Sequence, residues 1–68
     1  MAYPVKGCGS ITPANGGRTI WYDKFCEECG KNNGSDITSS NATDDDGFIH
    51  SSFYCERCGH KQEVIIKP

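Results

Sequence analysis

Residues 24–31 read KFCEECGK and residues 53–60 read FYCERCGH, two versions of a single Cys-x-x-Cys-Gly element. In such an element the first thiolate ends a strand, two residues make the bend, and the backbone N–H groups that follow turn back toward the sulfur. Glycine in the next position permits the positive φ that the reversal needs. One element supplies two sulfurs spaced for half a tetrahedron, and a second completes it. Cys26, Cys29, Cys55 and Cys58 are therefore the expected ligands of one zinc ion, at Zn–S distances of ~2.3 Å. An all-sulfur set also admits iron, as in a rubredoxin-type electron carrier, which stands as the lesser alternative. A pair of redox dithiols would call for a βαβ context that the chain does not offer.

The composition explains why a metal is wanted. The chain has 68 residues, of which 35% are hydrophobic and 8 are glycine, and its longest aliphatic run is Val64-Ile65-Ile66. A domain of this size buries too little apolar surface to offset its conformational entropy comfortably and depends on a staple. Five cysteines, an odd number with four in two close pairs, fit metal ligation better than a disulfide framework.

Working outward from the two motifs, the sequence predicts strands and turns but no helix. IWYDKF (20–25) is rich in β-formers and runs into Cys26, and FIHSSFY (48–54) does the same for Cys55. After Cys29 a turn is expected through Gly34, then a short polar strand over 35–40. The Asp46-Gly47 pair, with Asp44 and Asp45 before it, predicts a tight acidic turn. On this reading the stretch between the two motifs forms a ribbon out and back with that turn at its tip. KQEVIIK (61–67) supplies a closing strand. Residues 1–19 hold two prolines, four glycines and an Asn-Gly pair, and are expected to form an irregular arm, leaving 20–68 as the metal-binding domain.

Charge bears on the partner. Seven Lys/Arg against nine Asp/Glu give a formal net charge of −2, and four thiolates around a divalent cation make it more negative still. That is a poor footprint for phosphate backbones. Within residues 23–46, Asp23, Glu27, Glu28, Asp36, Asp44, Asp45 and Asp46 outnumber Lys24 and Lys31. A protein partner is thus favoured over naked nucleic acid. The first ten residues lack the apolar run of about 7–15 residues of a signal peptide, and no stretch is long and apolar enough to cross a bilayer, so the expected location is cytoplasmic, with no membrane partner. On that expectation the formal glycosylation match Asn41-Ala42-Thr43 is read as a polar turn.

The order FCEECG, polar ribbon, FYCERCGH and closing strand KQEVIIK resembles the zinc-ribbon superfamily over residues 20 to 67. The resemblance implies a small all-β fold, a three- to four-stranded antiparallel zinc ribbon with an irregular N-terminal arm, and the four cysteines carry over as its ligands. Such ribbons occur in transcription factors, RNA polymerase subunits, ribosomal proteins and small stand-alone bacterial and phage proteins. Most are non-enzymatic interaction modules, and many unrelated activities share the fold, so the resemblance makes the transcription or translation machinery the first place to look for a partner. There is a more distant likeness to the ribbons of transcript-cleavage elongation factors, whose tip carries an Asp-Glu pair. Asp46 occupies the Asp position, but Gly47 replaces the Glu and Thr43 stands where that family has an Arg, so the signature is broken and no enzyme is expected.

The remaining candidates concern recognition. Asp44, Asp45 and Asp46 at the acidic turn, together with Trp21, Arg57 and Lys61, are the expected partner-binding residues. The aromatic set Trp21, Tyr22, Phe25, Phe48, Phe53 and Tyr54 could stack on unpaired bases, but a small ribbon has few other groups from which to build a core, so packing is the expected role. Exposure of Trp21 or Tyr54 would favour the nucleic-acid alternative. Cys8 is expected to be a free thiol, His50 a strand residue, and His60 a neighbour of the thiolates or of solvent.

Overall fold

Alternation in KQEVIIK places Gln62, Val64 and Ile66 on one face, and in the computed structural model, which describes residues 2–68, all three are buried. Lys61, Glu63 and Lys67 on the other face are exposed. This strand, β6 (Lys61–Lys67), is the centre of a three-stranded antiparallel sheet between β1 (Tyr3–Lys6) and β5 (Ile49–Tyr54). A second antiparallel sheet centres on β3 (Thr19–Phe25), flanked by β2 (Cys8–Ala14) and β4 (Asn32–Ser39). In β3 the buried Ile20 and Tyr22 bracket the exposed Trp21. One core cluster, Ile20, Tyr22, Ile49, Val64 and Ile66, draws on both sheets, with Ala2, Cys8, Ile11 and Phe53 packed against it. Apart from a single 3-10 turn at Asn15–Gly17, the described residues are strand, turn and loop, so the protein is small and all-β.

Several expectations are corrected. Of the expected irregular arm over 1–19, Met1 lies outside the described residues, and residues 2–19 are not irregular, because Tyr3–Lys6 and Cys8–Ala14 each pair with the central strand of a sheet. Pro4 and Pro13, which argued against strands there, both lie on edge strands, where a missing N–H is tolerated. The resulting six strands exceed the three or four of the expected ribbon. Nor do β4 and β5 form a ribbon with each other. Each Cys-x-x-Cys-Gly element is itself the turn of a hairpin, pairing Phe25 with Asn32 and Tyr54 with Lys61, so the partner of each strand lies across its own knuckle. The acidic turn is therefore part of the link between the two sheets and not a ribbon tip. The strand over 61–67 forms as expected, and β4 begins at Asn32, earlier than the polar stretch suggested.

The N-terminal segment crosses from one sheet to the other at Gly7. This residue is buried with φ +70°, and a Cβ there would run into the Glu63 carbonyl oxygen. Its N–H donates to Glu27 Oε1 at 3.2 Å and its carbonyl accepts from Phe25 N–H at 3.1 Å. Only glycine combines that φ with so close an approach. The crossover thus ties the N-terminal strands to the base of the first knuckle.

Candidate metal centre

The two knuckles are built by the same local hydrogen bonds. Gly30 N–H donates to the Cys26 carbonyl at 2.8 Å and Gly59 N–H to the Cys55 carbonyl at 2.9 Å. Cys26 N–H then donates to the Lys31 carbonyl and Cys55 N–H to the His60 carbonyl, both at 3.0 Å. Gly30 and Gly59 sit at φ +78° and +71°, the left-handed backbone that closes each turn. The local sequence alone dictates this shape.

Packing of the sheets brings the knuckles face to face. All four Sγ atoms of Cys26, Cys29, Cys55 and Cys58 lie within 4.8 Å of one another, with Cys26 to Cys58 at 3.7 Å and Cys29 to Cys55 at 3.4 Å. A tetrahedral ion with ~2.3 Å bonds to sulfur separates its ligands by ~3.8 Å, so the cluster fits a single metal ion. All five cysteines of the chain are free thiols. The first cysteine of each knuckle, Cys26 and Cys55, is buried, Cys29 is half-buried and Cys58 is exposed, which leaves the cluster open to solvent on one side.

Electrostatics ask for a cation there. The Cys58 backbone N–H, with that of Arg57 and the neighbouring Cys29 and Asn33 side chains, draws Cys55 down to about 6. Cys58 is pushed up to about 12: the His60 backbone N–H lowers it, but desolvation and the sulfurs of Cys55, Cys26 and Cys29 outweigh that bond. Four thiols this close cannot all ionise alone, and a bound divalent cation removes the conflict because only thiolates ligate it. The residues present therefore fit a metal, and a sulfur-only set suits zinc or iron.

Two side-chain amides cross between the knuckles. Gln62 on β6 is buried at 1% exposure, and its Oε1 accepts from Glu27 N–H of the first knuckle at 3.0 Å while its Nε2 donates to the Glu63 carbonyl at 2.9 Å. Asn33 on β4 accepts through Oδ1 from Glu56 N–H of the second knuckle at 3.1 Å, and its Nδ2 donates to the Lys31 carbonyl at 3.2 Å. His60 adds a weaker contact, Nδ1 lying 3.9 Å from Glu28 Oε2 across the site. The sequence reading missed Asn33 and Gln62. The signal was there, since each is a carboxamide four residues beyond the second cysteine of its own motif.

The expected partner-binding residues fall in three places. Asp44, Asp45 and Asp46 lie in the β4–β5 link, where Asp46 is engaged within the chain: Oδ1 accepts from Phe48 N–H and Oδ2 lies 2.9 Å from His50 Nε2. Trp21 is 46% exposed in the middle of β3, opposite Thr12 and Ile37. Arg57 and Lys61 are exposed at the second knuckle and the start of β6. Of the aromatic set, Tyr22 is buried and Phe53 packs on the core, as expected, whereas Trp21, Phe25 and Tyr54, the last 70% exposed, face solvent on the outward-alternating positions of their strands. Cys8 is half-buried, 3.7 Å from the Ile65 carbonyl, and desolvation raises its thiol.

No family model, curated protein or solved structure matches the chain. The four-cysteine cluster in a small all-β protein remains consistent with a site of zinc-ribbon type. No helix among the described residues is long and apolar enough to cross a membrane.

Proposed function

We propose that the protein is a small, non-enzymatic zinc-binding module of the cytoplasm that uses its metal-stapled fold to present loops and sheet faces to a macromolecular partner. The observation that supports this most is the convergence of four sulfurs within 4.8 Å on two matching knuckles. Zinc is preferred to iron because structural sites with four cysteines and a modest core commonly hold it, and binding contributes directly to folding. A protein partner is preferred because the formal net charge is −2. The transcription or translation apparatus is the first place to seek it, by analogy of fold.

A second reading, binding of single-stranded nucleic acid, gains from the exposure of Trp21 and Tyr54. Aromatic faces stack on unpaired bases, and Lys61 and Arg57 could meet phosphates. Against it stands the acidic balance of the chain.

One experiment separates these readings. The purified chain is assayed for metal and colour, then used tagged, with zinc retained, to capture partners from lysate with and without nuclease. A colourless protein with one zinc that keeps a defined protein after nuclease supports the main reading. Loss of all bound material with nuclease supports the second, and a coloured iron protein with a reversible redox couple would replace both with an electron carrier.

A further inference from the structure

Knuckle turns leave backbone groups that their own hydrogen bonds do not satisfy. Glu27 and Glu56, the residues after the first cysteine of each motif, both point their N–H at a side chain from the opposite half of the molecule: Glu27 at Gln62 and Glu56 at Asn33. The same sequence interval that separates Cys26 from Cys55 and Cys29 from Cys58 also separates Asn33 from Gln62 and Glu27 from Glu56. The two bonds are therefore equivalent members of a repeat, each running outward from one knuckle to the other.

We propose that Asn33 and Gln62 form a reciprocal amide latch that fixes the two knuckles against each other and slows release of the ion held by Cys26, Cys29, Cys55 and Cys58. The proposal rests on the metal-binding reading of that cluster. Three features carry it. Gln62 is almost wholly buried in a strand whose other inward residues are Val64 and Ile66, a position where an apolar side chain would cost less unless the amide had partners. Both ends of that amide are satisfied, Oε1 by Glu27 N–H and Nε2 by the Glu63 carbonyl. Asn33 also links the halves, since its Nδ2 donates to the Lys31 carbonyl that already accepts from Cys26 N–H, while its Oδ1 holds Glu56 beside Cys55. Gln62 bonds only backbone groups, and Asn33 adds to its own backbone bonds a side-chain contact that lowers Cys55, so both act by positioning the ligands, much as outer partners orient ligands in other metal sites.

A site made of two separate turns loses its metal by parting them. Removing either amide leaves a knuckle N–H without its partner and lets that turn swing. Because the latch crosses between halves, its loss should be felt on the knuckle that does not carry the substitution, a signature that general loosening of the fold does not produce.

The test uses the full chain loaded with zinc, its metal content checked first, and measures release to excess chelator alongside amide hydrogen exchange by NMR. Gln62→Met and Asn33→Leu keep side-chain bulk and remove the acceptor. Each is expected to speed release by about 10-fold or more. Gln62→Met should accelerate exchange of the Glu27 amide, and Asn33→Leu that of Glu56. Asn33→Asp, which keeps the acceptor oxygen, should restore protection at Glu56. Unchanged release and unchanged cross-knuckle exchange in fully loaded variants would overturn the latch. If Gln62→Met does not fold, the less buried Asn33 series decides the matter by the same criteria. A wild-type chain that takes up no stoichiometric zinc would overturn the metal reading itself, and does so before any variant is made.

Discussion

The first knuckle hairpin, β3 to β4, and the second, β5 to β6, have the same turn but opposite sheet positions. In the first, the strand entering the knuckle is the buried centre of its sheet and the strand leaving it is an edge; in the second, the entering strand is the edge and the leaving strand the centre. Knuckle shape follows from Cys-x-x-Cys-Gly, which both halves contain. Strand position follows from where the apolar residues fall. Ile20 and Tyr22 precede the first motif, whereas Val64 and Ile66 follow the second, and the N-terminal strands β1 and β2 pair with those central strands. The repeat thus shapes the two knuckles of the four-cysteine cluster locally, and a different, non-repeating pattern arranges the sheets around them.

The largest effect expected from this comparison is at the ligands. Cys26 and Cys55 hold equivalent buried positions, so Cys26→Ser and Cys55→Ser should each abolish stoichiometric metal binding and unfold the chain. Metal binding in small modules contributes on the order of 10–16 kcal/mol, as much as the whole stability of an ordinary domain. Circular dichroism and metal analysis of both variants check this. A folded, metal-loaded Cys26→Ser beside an unfolded Cys55→Ser would break the equivalence of the halves.

Next in size is Gly7, which has no counterpart in the repeat and connects the sheets. Gly7→Ala sets a methyl against the Glu63 carbonyl at φ +70° and should cost about 3 kcal/mol or more, whereas Gly16→Ala, at φ +67° with open space around it, should cost only ~1–2 kcal/mol. Chemical denaturation of the zinc-loaded proteins measures both. Equal losses would mean that backbone conformation alone, and not the close approach, sets the requirement at Gly7.

Smaller again is the pair Ile20 and Ile49, which stand at the same interval as the cysteines and are both buried in the common core. Ile→Val at either position should cost ~0.5–1.5 kcal/mol, by similar amounts, if the repeat extends into the packing. A loss at one position alone would confine the repeat to the knuckles.

The contrast between local and non-local determinants also explains what the sequence revealed. The four-cysteine cluster, the all-β class and the strand over 61–67 were legible because each rests on a short pattern: cysteine spacing, β-forming residues and alternation. The pairing of strands was not, since β1, β2 and β4 carry little apolar signal and their partners lie far along the chain. Prolines at 4 and 13 hid two edge strands, and the acidic turn suggested a ribbon tip where the chain in fact passes between sheets. Asn33 and Gln62 escaped notice because carboxamides beside a metal motif carry meaning only when the two motifs are laid over one another.

The finest contrast lies on the solvent side of the two entering strands, where the interval that relates Ile20 to Ile49 relates Trp21 to His50. Trp21 stands opposite Ile37 in its sheet, but His50 turns to the β4–β5 link, with Nε2 at 2.9 Å from Asp46 and 3.8 Å from Asp44. The hydrogen bond to Asp46 raises His50 above the ordinary 6.5, with Asp44 and Glu63 adding to it, while the Phe48 N–H and then His50 lower Asp46 below the ordinary 3.8. A raised histidine contributes fully below 6.5 and loses its contribution as pH climbs through the raised value; a lowered carboxylate contributes above 3.8 and loses its contribution as pH falls through the lowered one. The link should accordingly be held most firmly between those two ordinary values, with a small effect because both groups are solvated. Titration of the His50 ring protons by NMR is expected to give a pKa above 6.5 that returns toward it in Asp46→Asn, while the indole signal of Trp21 stays put. A His50 that titrates at or below 6.5 in the unsubstituted chain would show that the link is anchored by its backbone bonds, Asp44 N–H to the Phe48 carbonyl and Gly47 N–H to the Asp44 carbonyl, without help from the imidazole.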